Sequence, residues 1–517
     1  MNENTLHYDE LLCEFREIAH LTSIAELLAW DQRVMMPSLA GSYRAEQNSF
    51  ISGLIHERLT STKVGELISK IDDCELKNDP MSDISVNLRQ IKRIYAKATQ
   101  TPPDLVKAIA RAQSVSLNKW GEARDKKDFK ILQDAMSEVV NLLRQQAAIL
   151  GYKNEPYDAI LDEHEPETTA EEVADVMFRL EKNLVPIIQI LTESNSALDD
   201  SILKTPIPVE HQHQFCCAIL KKLGLSSSSS RLDISAHPFS VNVGPLDSRI
   251  SCRYFEADLK YSLLAILHEA GHAIYNQGLP AEFYGLPRGS AISSGFHESQ
   301  SRLWENMVGR SLSFWEYFYP ILLQSCSGSF SKVSILQFYR ALNKVQVQLQ
   351  RVGADEITYN LHILVRFEIE RDLFAGRLHV RDIPDAWRAG YLRLLGVEPP
   401  DDFVGCLQDI QWGRGAFGYF PTYSLGNIYA AQLFHKVQND VATLFEDFKS
   451  GNFHSLREWL RINVHQWGQK YSAKQMIELA TGEPLTSAYL INDICTRYGE
   501  IYNVDLSKFT CSPKGTR

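Results

Sequence analysis

The sequence predicts a mainly α-helical protein, one large helical body with a small β-sheet. Three observations point there. Apolar residues recur at helical spacing along most of the chain, and alternating strand pattern is confined to one stretch near residue 240. No linker is long or biased enough to cut the 517 residues into separate units. Leu132, Met136, Val139, Val140 and Leu143 keep the i, i+3, i+4 rhythm of one buried helix face, and Gly151 is placed to end that helix. Thr169 and Glu172 form a capping box, with Val173, Val176, Met177, Leu180 and Leu184 as the apolar stripe behind it. Thr101-Pro102-Pro103-Asp104 opens another helix, since proline is tolerated in a first turn. The first 60 residues also read as helix, interrupted at Pro37. For the sheet, Phe239, Val241 and Val243 alternate after His237-Pro238, and Ile250 to Tyr254 offer a partner strand. The serine run from Ser226 to Ser230 reads as a flexible surface loop.

Composition excludes several function classes. Hydrophobic residues make up 44% and charged residues 23%, as in an ordinary globular protein able to bury a large core. The net charge of −11 argues against nucleic acid or an anionic membrane surface as partner, because both need a basic face. The N-terminus carries Glu3, Asp9, Glu10 and Glu14 where a signal peptide needs positive charge and an apolar run. The most apolar stretch, from Leu263 to Ile274, is too short for a bilayer and is broken by His268, Glu269 and His272. Nine scattered cysteines without a C-x-x-C pair fit a reduced, cytoplasmic chain.

Those three polar residues carry the strongest chemical signal, His268-Glu269-Ala270-Gly271-His272. Residues four apart share a helix face, so His268 and His272 can grip one metal ion, while Glu269 reaches a water on that ion. Zinc lowers the pKa of such a water towards about 7, and a carboxylate can then take its proton. The H-E-x-x-H pattern arises by chance in roughly one chain of this length in forty. A chance match should fall on a solvated face, whereas Leu263, Leu264, Ile266, Leu267, Ala273 and Ile274 make this helix apolar. A catalytic zinc takes three protein ligands and leaves a position open. Glu298, 26 residues beyond His272 and set between Phe296 and the Leu303-Trp304 pair, is the candidate third ligand.

Together with further stretches, these residues resemble the carboxypeptidase Taq family of metallocarboxypeptidases. The likeness begins at Ala29-Trp30-Asp31-Gln32 and Met36-Pro37 and resumes at His237-Pro238-Phe239. Asp247-Ser248-Arg249-Ile250-Ser251 is similar to the family's D-x-R-x-T element, with serine in place of threonine. The stretch Gln350 to Asp355 resembles I-R-x-x-A-D, Gly405 to Trp412 resembles G-x-x-Q-D-x-H-W, and Tyr419-Phe420-Pro421-Thr422-Tyr423 follows in place. The resemblance implies a neurolysin-like helical saddle with a deep groove, usually a homodimer, and removal of single residues from peptide C-termini. It implies one zinc per chain, or cobalt or another divalent ion, on His268, His272 and Glu298. Glu269 would act as general base and then as proton donor to the leaving amine, and Tyr423 would donate to the oxyanion. Arg351 is the first candidate for the substrate's α-carboxylate, followed by Arg249 and Arg253, because a planar guanidinium suits that group. Gln411 and Tyr419 complete the substrate-binding set.

Three further positions depart from the family pattern. Gln411 replaces the histidine of Q-D-x-H-W; its amide can donate a hydrogen bond but cannot titrate, so a weaker or pH-flatter enzyme is expected. Gly353 and Gln350 replace the usual glutamate and isoleucine beside Arg351, which is expected to loosen that arginine's support. Two other functions use the same residues: an endo-acting oligopeptidase, or a peptide-binding homologue with weakened turnover. Length alone suggests about three domains. The matched elements from Trp30 to Tyr423 need one continuous scaffold, so residues 1–517 are expected to form a single domain.

Overall fold

The computed structural model describes residues 3–71, 79–194, 198–326, 328 and 330–512. Helices dominate it, each where the sequence supplies a face and a stop. Helices Glu3–Val34 and Gly41–Leu59 fill the first 60 residues, and Pro37 stands before a short 3-10 turn at Ser38–Ala40. Helix Pro103–Lys126 starts on its proline. In helix Lys130–Leu150, Leu132, Met136, Val139, Val140 and Leu143 are all buried, and Gly151 ends it at φ +80°. Thr169 and Glu172 cap Ala170–Glu193 reciprocally: Glu172 N–H donates to Thr169 Oγ1 at 3.3 Å, and Thr169 N–H to Glu172 Oε2 at 2.9 Å. Of the stripe behind that box, Val173, Met177, Leu180 and Leu184 are buried, and Val176 is partly so.

The sheet has three strands, β1 (Ser230–Ile234), β2 (Phe239–Gly244) and β3 (Asp247–Cys252), in the order β1-β3-β2. β2 and β3 form an antiparallel hairpin, and β1 runs parallel to β3. β1 departs from the sequence expectation. Residues 226–229 form a surface turn, as expected, and it is a hydrogen-bonded one: Ser226 C=O accepts from the N–H groups of Ser229 at 3.0 Å and Ser230 at 2.9 Å. That turn feeds Ser230 straight into the strand. Only Ser230 of the run lies in the strand. Arg231-Leu232-Asp233-Ile234 alternate polar and apolar residues over too few positions to stand out, and what orders β1 is its ladder with β3. Gln277 ties the sheet to the helix Leu259–Gly278, donating to Ser229 C=O at 3.0 Å and to Ser248 Oγ at 3.2 Å.

One buried apolar cluster runs from Ile109 to Leu506. A smaller one lies under the N-terminal helices and joins Tyr8, Leu11, Leu12 and Phe15 to Val64, Leu67, Leu88, Ile91 and Leu286. Trp30 fastens that N-terminal part to the sheet. Its indole N–H donates to Asp233 at 3.2 Å, and the guanidiniums of Arg231 and Arg249 lie 4.9 and 4.8 Å from its ring. Such cation–π pairs contribute roughly 0.5–2 kcal/mol each.

Candidate metal centre and substrate cavity

The helix Leu259–Gly278 is capped by Asp258, whose carboxylate accepts from Tyr261 N–H at 3.1 Å. Its apolar face is buried from Leu259 to Tyr275, and His268 and His272 stand one turn apart with ring centroids 4.9 Å from each other. Glu298 arrives on a second helix, Ser294–Arg302, capped by Ser293. The two helices touch backbone to backbone at Gly271: a β-carbon there would lie 2.4 Å from Gln300 O and 2.6 Å from Ser301 Cα. On the far side, a β-carbon at Gly426 would meet Glu298 Cγ at 2.7 Å. Glycines on both flanks therefore seat the Glu298 helix.

Glu298 Oε2 lies 3.8 Å from His268 Nε2 and 3.6 Å from His272 Nε2, and the three donor atoms fall within 4.8 Å of one another. These gaps are too long for hydrogen bonds. They suit a tetrahedral ion, whose ligands at about 2.0–2.2 Å stand roughly 3.3–3.6 Å apart. The outer atoms of two ligands are already engaged. His268 Nδ1 lies 2.9 Å from Glu305 Oε2, which fixes the tautomer with a free Nε2 lone pair. Arg302 donates to Glu298 Oε1 at 2.8 Å, leaving Oε2 for the centre, and to Glu305 at 3.1 Å. A π-helical turn, Leu303–Val308, follows at once and carries Glu305. Such turns are rare and concentrate at functional sites. The donor set fits a divalent metal.

The electrostatics agree. Burial opposes the charge on Glu305, but Arg302 and His268 outweigh it and hold the carboxyl down to about 2. Burial likewise opposes charge on His268, yet Glu298 and Glu305 keep its pKa above the ordinary value. His272 is pushed well down by burial and by His297, whose ring stacks on it at 4.4 Å. Glu269 is buried, and burial lifts its carboxyl to about 7 against the pull of His268. Replacing Glu305 with alanine is expected to weaken metal affinity by roughly 10–100-fold, because the supporting carboxylate is lost. Competition against a calibrated chelator reads this directly, and unchanged affinity would show that Glu305 does not support His268.

A cavity of about 930 Å³ opens beside the metal centre, with His268, Glu269, Arg351, Gln411, Tyr419 and Tyr423 in its wall. Six predicted residues thus share one space, and His272 and Glu298 complete the centre from a second cavity of about 680 Å³ that also reaches Tyr419. Arg351 is gripped tightly. Its Nε and one terminal nitrogen donate to Asp409 at 3.1 and 2.8 Å, and the other terminal nitrogen donates to Tyr359 at 2.7 Å. Three of five guanidinium N–H groups are used, which leaves two for a ligand. The expected loosening by Gln350 and Gly353 is not what the structure shows, because the arginine's support comes from Asp409, Tyr359 and Gln408. Gly353 itself sits at φ +87°, a backbone that disfavours a glutamate. Tyr423 lies 5.0 Å from the Arg351 guanidinium, and burial, then Tyr419, raises its pKa well above the phenol range.

Arg249 and Arg253 stay out of the cavity. Arg249 pairs with Asp247 at 2.5 and 2.9 Å and packs on Trp30. Arg253 donates to Ala236 C=O at 3.0 Å and packs over Phe255 at 4.4 Å. Conversely, sequence reasoning missed Arg302 and Glu305. The spacing Glu298, Arg302, Glu305 is the i, i+4, i+7 charge row that could have revealed them.

Two imidazoles and a carboxylate poised for a cation, with a buried glutamate and a phenol facing the same cleft, define a metal-dependent hydrolase of the H-E-x-x-H type. The carboxypeptidase Taq (M32) metallopeptidase family matches residues 10–498, and the chain belongs to that family. It is 40% identical to thermostable carboxypeptidase 1 of Thermus thermophilus over 96% of this chain and 99% of that one. It is 33% identical to carboxypeptidase 1 of Bacillus subtilis over 94% and 97% of the two chains. The crystal structure of an M32 carboxypeptidase from Deinococcus radiodurans superposes with a TM-score of 0.93 at 35% identity, covering 96% of this chain and all of that one. The protein is a metal-dependent carboxypeptidase, a hydrolase acting on peptide C-termini. No helix among the described residues is long and apolar enough to cross a membrane.

Proposed function

We propose that the protein is a zinc carboxypeptidase in which His268, His272 and Glu298 hold the ion and Glu269 is the general base. The observation that carries this reading is the trio of donor atoms within 4.8 Å, with Glu305 and Arg302 holding the outer atoms of two of them. A bound divalent ion supplies Lewis acidity, which polarises the scissile carbonyl and makes a neighbouring water more acidic. Glu269 takes a proton from the attacking water as its oxygen bonds to the carbonyl carbon, and returns that proton to the leaving amine as the C–N bond breaks. Tyr423 O–H donates to the carbonyl oxygen as it gains charge, in a space that excludes bulk water. The two free N–H groups of Arg351 take the substrate's α-carboxylate, and Tyr419 and Gln411 wall the cleft. An arginine committed to the terminal carboxylate favours removal of single residues over internal cleavage.

The whole chain, residues 1–517, acts as one domain in this reading, since the main core cluster reaches from Ile109 to Leu506. Homodimerisation is supported by an apolar face on the N-terminal helices, where Leu39, Tyr43 and Phe50 are 97%, 66% and 67% exposed. A cytoplasmic setting is supported by the unpaired state of the described cysteines.

The test is release of C-terminal amino acids from N-blocked peptides by zinc-loaded protein, followed by mass analysis. Chelation is expected to stop release, and added Zn²⁺ to restore it. Chelator-insensitive cleavage, or internal cuts, would overturn the reading.

A further inference from the structure

The long wall of the substrate cavity carries a cation that makes no ion pair with any described residue. Lys260 stands two turns before His268 on the same helix, and residues 260, 264 and 268 fall on one stripe at four-residue spacing. All three line the cavity. Lys260 is half-buried, and among the described residues its ammonium makes no hydrogen bond or ion pair.

The acidic groups that act on Lys260 do so as charges but accept their hydrogen bonds from other donors, and only Asp258 of the three lines the cavity. Asp355 accepts from the backbone N–H groups of Gln346, Ile357 and Thr358 and from Thr358 Oγ1. Asp258 caps its own helix, and Asp200 pairs with Lys344 and Lys204. The remaining charged neighbour, Arg310, is also a cation; it lines the same cavity and donates only to the neutral acceptors Asn306 Oδ1 and Leu342 C=O. Burial, then Arg310, lowers the Lys260 pKa to about 8, so the ammonium is still mostly charged at neutral pH. A cation kept in a partly desolvated cleft with only distant carboxylates and no directly hydrogen-bonded counter-charge is costly, and a ligand can bring one.

Distance says which ligand group could do so. Eight residues of helix rise separate the backbones of Lys260 and His268 by about 12 Å along the wall, and the flexible lysine stem covers part of that gap. A glutamate side chain extended from a scissile carbonyl beside the metal spans roughly 7 Å by standard bond lengths. The metal-to-carbonyl gap and one charge-assisted hydrogen bond add about 5–6 Å. The α-carboxylate, two bonds nearer the carbonyl, is the group left to the two free N–H groups of Arg351.

We infer that Lys260, flanked by Arg310, reads the side chain of the residue being removed and selects C-terminal glutamate. The inference rests on the carboxypeptidase reading above and names the substrate class for that same cavity. The test compares zinc-loaded wild type, Lys260→Met and Lys260→Glu on N-blocked peptides identical except for a terminal Glu, Gln or Lys. Wild type is expected to favour Glu over its isostere Gln by about tenfold in kcat/KM, with Lys poorest. Lys260→Met is expected to bring the Glu/Gln ratio to about one. Lys260→Glu is expected to raise turnover of the Lys-ended peptide above wild type, a gain that a misfolded variant cannot give. Equal use of Glu and Gln by wild type, or a ratio that survives in Lys260→Met, overturns the assignment of Lys260. Failure to release any of the three residues overturns the carboxypeptidase reading itself.

Discussion

Glu269→Gln is expected to lower kcat by about 10³-fold, within the range of roughly 10²–10⁴ that general acid–base catalysis contributes, while zinc stoichiometry stays at one per chain. The substitution is isosteric and leaves the proposed ligand set intact, since it spares His268, His272 and Glu298 and the Glu305 and Arg302 contacts to their outer edges. What it removes is the lone pair that accepts water's proton. The environment of Glu269 suits a carboxylate to the proposed role of base. Burial lifts its pKa to about 7, which makes it a far stronger base than a solvated glutamate, and the pull of His268 only partly offsets this. KM should change little, because the amide fills the same volume in the cleft wall. Stopped-flow turnover with metal analysis on the same sample checks the result; a loss of less than tenfold would remove Glu269 as base.

Legibility in the sequence differed between parts of this centre for physical reasons. The two histidines and the helical faces were readable because they depend on local spacing: 3.6 residues per turn fixes which side chains share a face. Glu298, on another helix, was instead singled out by its apolar setting. Tyr423, Arg351 and Gln411 stand in the cavity wall beside His268 and Glu269, and only resemblance to a family could single them out, since they are brought there by distant packing. Arg249 shows the limit of such carry-over. Its element resembles a family motif, but the side chain is spent on Asp247 and on Trp30, a residue of another matched element. The two motifs were visible separately, and their mutual contact was not. β1 was missed because its alternation, Arg231-Leu232-Asp233-Ile234, is only four residues long and its order comes from pairing with β3. Lys260 was overlooked because a lysine in an apolar run looks like a solvated helix residue until the cavity around it is seen.

Gly271→Ala sets two opposed effects against each other. In an ordinary helix interior, alanine stabilises relative to glycine by roughly 1 kcal/mol. Here the new methyl carbon would lie 2.4 Å from Gln300 O and 2.6 Å from Ser301 Cα, backbone atoms that cannot rotate aside. Relief needs the Glu298 helix to move by about 1 Å, and overpacking of this kind costs roughly 1–3 kcal/mol. Retreat in the other direction is blocked, because Gly426 already lets the next helix approach Glu298 Cγ. The steric term wins, so the variant should melt at lower temperature than wild type. Its larger effect should fall on function: a displacement near 1 Å moves Glu298 Oε2 away from both histidines, and misplacement of that size can cost about 10²-fold in rate. Calorimetry and zinc titration on one preparation decide the matter. A variant that melts higher than wild type and binds zinc equally well would show that the two helices are not seated by this glycine.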